Sequence, residues 1–284
     1  MTKKYAIINF KGGVGKTTIT WLIGKYLSQY KNQNILMVDL DPQMSLTLGL
    51  SLKDDGFLKN NYNEWFKERL QKKETIYYLM ESYYKNSLKD YDLSSFVFNN
   101  EKNLFILPSY EKLYLIELMN YERKKFKNFI KDIIYKLNEK YLFDIVLFDC
   151  PPNFTNLTYS VFEYVNQIIV PCNPDIYAKK GLELLIQTLQ ILITKYGLTQ
   201  KEYDFYSFIN KARLHSGHFT NETQNFYDEL KKLQKHYYTN FKIHVLNTYL
   251  PERVDIKRAM QNQKFPEDYD YYLDSLCNEI GVLD

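Results

Sequence analysis

Residues Lys11 to Thr18 read KGGVGKTT. Gly12, Gly13 and Gly15 leave the backbone bare, so its N–H groups can converge on phosphate oxygens. Lys16 has the reach to meet β and γ phosphates, and Thr17 offers a hydroxyl to Mg²⁺. Upstream, Tyr5–Asn9 (YAIIN) is a short β-rich run. Downstream, apolar residues fall at Ile19, Leu22, Ile23, Tyr26 and Leu27, the period of an amphipathic helix. Strand, glycine loop and helix in that order form the context in which such a loop binds phosphate, aided by the helix N-terminus. The usual spacing G-x-x-x-x-G-K-[ST] asks for glycine at position 10, where Phe10 stands. The loop is a variant with an additional lysine, Lys11, beside its first glycine.

Working outward, ILMV at Ile35–Val38 is a second strand, so strand–helix–strand fills the first forty residues and argues for parallel pairing. Further strands are expected at Leu104–Leu107, Ile145–Phe148, Gln167–Pro171, Tyr203–Ile209 and Ile243–Leu250. Helices are expected near Tyr62–Lys72, Thr75–Lys85, Tyr121–Tyr141, Ala178–Tyr196, Phe219–Tyr238 and Tyr271–Ile280. LFIL, IVLF and QIIV are apolar throughout, the mark of strands buried on both faces. The expected architecture is α/β: a mostly parallel central sheet covered by helices on both faces, a phosphate-loop NTPase fold. Residues 1–284 read as a single ATPase domain, with an elaborated helical segment at about 51–103.

Composition excludes several classes. The 37 Lys+Arg balance 34 Asp+Glu, which is neither a polyanion nor a polybasic tail. No apolar run approaches membrane-spanning length. The N-terminal apolar run is too short for a signal peptide, which predicts a cytoplasmic protein. The three cysteines, Cys150, Cys172 and Cys277, have neither disulfide-framework nor zinc spacing. His215 and His218 stand three apart without a cysteine partner nearby. Charge is uneven: residues 195–264 hold 12 basic and 7 acidic side chains, a modest positive region that suits either solvated surface or nucleic acid.

Three carboxylates accompany the loop. Asp39 and Asp41 bracket Leu40 at the end of the second strand, and Asp149 ends IVLF. The C-terminal ends of parallel strands open onto the ligand crevice, so all three arrive where the loop is. Asp149 is the best candidate to hold Mg²⁺ through water, and another of the three should orient the attacking water.

KGGVGKTT, VDLDPQMSLT and FDIVLFDCPP, in that order, resemble the ParA-type partition ATPases, within the deviant-Walker phosphate-loop class that includes MinD-like proteins. The resemblance implies that Lys11, Gly12, Gly13, Val14, Gly15, Lys16, Thr17 and Thr18 bind ATP. Lys11 matches the signature lysine that crosses a nucleotide-sandwich homodimer and meets the partner's nucleotide. Asp41 matches the carboxylate that positions water, Asp39 a supporting acid beside the metal, and Asp149 the metal-site acid. Asp175 and Tyr177–Gly181 match a segment near the dimer face. Asn210 and Pro251 lie where relatives approach the base.

The resemblance further implies non-specific double-stranded DNA binding at the nucleoid, with Arg213, Lys257 and Arg258 as the nearest candidates for contacts. Relatives often carry Arg where this chain has Asp255, which predicts a rearranged DNA surface. The residues before Tyr5 are too few to hold a helix-turn-helix, so the chain is expected to resemble the small, extension-free class. The extension-free members leave site recognition to a separate small centromere-binding protein, often of ribbon-helix-helix type, which stimulates hydrolysis. A MinD-like membrane-cycling ATPase needs a basic amphipathic C-terminus, whereas the last twenty residues here carry six acids and no base. A slow-turnover, ATP-dependent scaffold is the other alternative.

Overall fold

The computed structural model describes residues 2–51, 66–85, 92–118, 122–175, 178–235, 238–260, 264–266 and 268–283. In chain order the elements are β1 Lys3–Ile7, α1 Lys16–Tyr30, β2 Ile35–Asp39, α2 Ser45–Ser51, α3 Ile76–Tyr84, β3 Phe98–Glu101 and β4 Leu104–Leu107. There follow α4 Leu113–Leu118, α5 Phe129–Tyr141, β5 Ile145–Asp149, α6 Asn156–Tyr164, β6 Gln167–Cys172, α7 Ala178–Lys195 and β7 Tyr203–Ala212. A hairpin of β8 Leu214–His215 and β9 His218–Phe219 leads to α8 Asn221–Gln234, β10 Phe241–Val245, β11 Leu250–Pro251, α9 Val254–Ala259 and α10 Asp270–Glu279.

The main sheet runs β10-β7-β6-β1-β5-β2-β4-β3, with β11 also on β7. Every pairing in it is parallel except β3 with β4. Alternate residues of each strand enter opposite cores. Tyr5, Ile7, Ile35, Met37, Ile145 and Leu147 join Leu22, Leu27, Leu273 and Leu276 from α1 and α10. Ala6, Leu36, Val38, Val146 and Phe148 join Ile133, Val161, Leu185 and Leu230 from α5, α6, α7 and α8. The strands are apolar throughout because each face meets its own helical layer, at about 1.5–3 kcal/mol per fully buried large aliphatic chain.

The expected elements lack α2, β3, α4, α6 and α9, and the structure departs from them in three further places. Residues 243–250 are two strands, because the backbone N–H groups of Asn247 and Thr248 leave the ladder and donate to the Glu279 carboxylate at 2.8 and 2.7 Å. The helix expected at Tyr121–Tyr141 begins only at Phe129; a 3-10 turn, Arg123–Phe126, precedes it. Phe126 and Phe129, both wholly buried, meet edge to face across that change of winding. The hairpin at 214–219 had no apolar alternation to announce it; it turns on Ser216 and Gly217, both at positive φ. Of the segment 51–103, positions 52–65 and 86–91 lie outside the described residues, including the start of the helix expected at Tyr62–Lys72.

Candidate functional site

The phosphate loop joins β1 to α1. Gly13 has φ +74° and Gly15 φ +89°, conformations that side-chain-bearing residues rarely adopt. Gly15 is the residue that caps α1, and its carbonyl accepts the N–H of Ile19 at 2.9 Å. Among the described residues, Asn9, Asn173, Lys211 and Asn210 hold the loop. Buried Asn9 accepts the Lys11 N–H at 2.9 Å and donates to the Pro171 carbonyl at 3.0 Å. Asn173 and Lys211 both donate to the Gly13 carbonyl, at 3.3 and 2.8 Å. Asn210 donates to the Val14 carbonyl at 2.8 Å. Gly181 on α7 lies so close that a Cβ there would stand 2.2 Å from Asn9 Oδ1.

Thr17 and Thr18 line a cleft of about 450 Å³ together with Gly12, Gly13, Gly15 and Lys16. Lys16 is buried, and that burial lowers its ammonium pKa; Asp149 and then Asp41 oppose the shift. Asp39 and Asp149 are register partners on adjacent parallel strands. Asp39 is wholly buried and has both oxygens engaged. Oδ1 accepts the Asp41 N–H at 3.1 Å; Oδ2 accepts the Thr47 N–H at 2.8 Å and its hydroxyl at 2.7 Å. Burial pushes its carboxyl up to about 7 against those hydrogen bonds. Asp149 is raised well above the carboxylate range, first by burial and then by Asp39, with Thr17 and Lys16 opposing. Its Oδ1 accepts from Thr20 at 3.4 Å, while its buried Oδ2 has no hydrogen-bond partner among the described residues. Two buried carboxylates side by side with one orphaned oxygen fit a divalent cation. Of the pair, Asp149 and not Asp39 has the open coordination, and Thr17 is the neighbouring hydroxyl. Asp41, half-buried at the cleft, accepts the Gln43 N–H at 2.9 Å.

Lys11 forms an ion pair with Asp175 of its own chain. Asn210 and Pro251 both line the cleft. Sequence reasoning missed Asn9, Asn173, Lys211, Arg253 and Tyr269; Asn9 borders the loop, and the other four arrive from different strand ends or loops. Arg213 is exposed and lies between Glu222, at 2.8 Å, and Glu252, at 3.7 Å. Lys257 and Arg258 fall in α9, but their side chains lie outside the described residues, as does Tyr177. Asp255 is paired with Arg253. His215 and His218 face each other across the hairpin, and the described residues hold no group of three metal ligands. No helix among the described residues is long and apolar enough to cross a membrane.

A family model, AAA_31, described as an AAA domain, matches residues 2–202. The chromosome-partitioning ATPase Soj of Treponema pallidum is 29% identical over 192 residues, covering 67% of this chain and 64% of that protein, so the chain spans under two thirds of that relative. A Borrelia burgdorferi protein described as a plasmid partition protein, bound to AMPPNP, superposes with TM-score 0.67 at 21% identity, over 100% of this chain and 98% of that one. Cobyrinic acid a,c-diamide synthase of Mycobacterium smegmatis, with ADP and magnesium, gives TM-score 0.66 at 21% identity, over 98% and 95% of the two chains. The last two likenesses concern the fold, which serves more than one chemistry. The family match extends from β1 past the phosphate loop, both strand-end aspartates and β6, and on that ground the chain belongs to the ParA-type family of phosphate-loop partition ATPases.

Proposed function

We propose that this chain, as one ATPase domain over 1–284, hydrolyses Mg-ATP in the cleft and forms a homodimer across the nucleotide. The dimer binds double-stranded DNA without sequence preference, at the nucleoid, and a small centromere-binding protein stimulates its turnover. The observation that carries the reading is the placement of buried Lys16 at the N-terminus of α1, beside Asp149 and Asp41. Positive charge, backbone donors and carboxylates then converge on one phosphate chain.

Thr17 and Asp149 would hold Mg²⁺, with Asp39 fixing the loop behind them; the ion would neutralise charge on the β and γ phosphates. Asp41 orients a water in line with the γ phosphate. Lys11 leaves Asp175 and supplies its ammonium to the partner's nucleotide. That exchange is cheap, since a part-exposed ion pair contributes about 0–1 kcal/mol.

For DNA, Arg213, Lys257 and Arg258 are the candidates; Arg213 would exchange its exposed pairs with Glu222 and Glu252 for phosphate at about 0–1 kcal/mol each. The test is binding to an arbitrary duplex with ATP, with ADP and without nucleotide, at two salt concentrations. ATP-dependent binding that weakens steeply with salt is expected. Hydrolysis without DNA binding in any state would move the weight to a scaffold role. Lys11→Ala should abolish phosphate release, and Asp41→Ala should trap an ATP dimer visible by ultracentrifugation. A Lys11→Ala protein with normal stimulated turnover would sink the trans-acting lysine.

A further inference from the structure

The cleft has two chemically different ends. One is the glycine loop with Lys16 and Thr17; the other is walled by Ile19, Leu22, Ile256, Met260 and Tyr269. An apolar chamber with a few placed polar groups is what a heteroaromatic base requires. Tyr269 supplies one, on a cleft that Asn210, Glu252 and Arg253 also line. It is 0% exposed, and its hydroxyl is buried with no hydrogen-bond partner among the described residues. Leaving a hydroxyl in that state costs free energy, so a native structure that keeps one needs a reason. Burial also raises its pKa above the ordinary phenol range, so it remains a donor at neutral pH. The guanidinium of Arg253 lies 5.6 Å from the ring centroid, on the same cleft wall. Arg253 is held there partly by its pairing with Asp255, a surface pair that a ligand can displace at little cost.

We propose that the Tyr269 hydroxyl is the base-reading group of the cleft: it donates to a ring nitrogen of the adenine, which enters between Tyr269 and the Pro251–Arg253 segment. This rests on the nucleotide-binding reading above and adds to it a residue more than 250 positions from the phosphate loop. The hydroxyl has no partner among the described residues and gains one in the complex, so the two states respond oppositely to its removal.

The experiment compares wild type with Tyr269→Phe in three measurements: ATP affinity, affinity for inorganic tripolyphosphate, and thermal stability without ligand. The expected result is ATP bound about 5–10-fold more weakly, tripolyphosphate bound equally, and a ligand-free Tm unchanged or raised. Unchanged ATP affinity would overturn the proposal. Equal weakening of ATP and tripolyphosphate would overturn it too, by placing the effect at the phosphate end. A ligand-free Tm lowered by several degrees would show that the hydroxyl has a structural partner, with the same consequence. Wild-type protein that binds neither probe would instead remove the nucleotide reading itself.

Discussion

Asp39 and Asp149 stand opposite each other in register at the C-terminal ends of adjacent parallel strands, both buried. Their carboxyls are held above their ordinary 3.8, Asp39 at about 7, chiefly by burial. The folded, ligand-free protein therefore binds more protons than the unfolded chain between these values, so this pair makes stability fall as pH rises through that window. Asp149→Asn should flatten that fall, stabilise the ligand-free protein at pH 7 by roughly 1–2 kcal/mol, and abolish Mg-dependent hydrolysis. Denaturant unfolding across pH 4.5 to 7.5 reads the difference; identical slopes in the two proteins would refute the coupling.

Gly15 combines a left-handed backbone with a neighbour: a Cβ there would come within 2.5 Å of Asn210 Nδ2. Gly15→Ala should weaken nucleotide binding by more than about 10-fold while the sheet still folds. Adding Asn210→Ala should restore only part of the loss, since it relieves the contact but not the backbone strain. Full rescue in the double variant, read by ATP titration, would assign the effect to the clash alone.

The ion pair with Asp175 holds the Lys11 ammonium within its own chain. Asp175→Asn should release it at small cost, with a Tm change under about 2 °C. The ATP-dependent dimer should then form at lower protein concentration. Sedimentation with a non-hydrolysable ATP analogue measures this, and a weaker dimer would mean that Asp175 itself serves the interface.

Glu279 on α10 accepts the N–H groups of Asn247 and Thr248, and its Oε1 also accepts the Thr248 hydroxyl. It fixes the turn that delivers Pro251 to the cleft. Glu279→Ala should destabilise the fold by about 1–3 kcal/mol and weaken ATP more than tripolyphosphate. Equal weakening of both ligands would indicate general loosening instead.

Much of the fold was legible because its signals are local. Apolar runs such as IVLF, closed by turn residues, read as strands covered on both faces, and the period from Ile19 to Leu27 reads as a helix. That α1 is buried on every side from Ile19 to Ser28 is a result of packing that the period does not show. The split of β10 from β11 was not legible, because it depends on Glu279, more than thirty residues away. The late start of α5 likewise depends on packing among Phe126, Phe129 and their neighbours.

The amino-acid sequence by itself determined the phosphate end of the site. Three glycines, Lys16 and Thr17 occupy consecutive turns of one loop, and their chemistry follows from backbone freedom and helix polarity. Only the tertiary structure decided the rest. The strand order puts β7 and β6 beside β1, and so brings Asn210, Lys211 and Asn173 onto loop carbonyls from some 160–200 residues away. Register set Asp39 against Asp149, and the packing of α10 on α1 carried Tyr269 to the cleft wall. Hydrogen bonds and charge pairs of that kind act through space at a few ångströms, and chain position carries no record of them until the sheet has closed the distance.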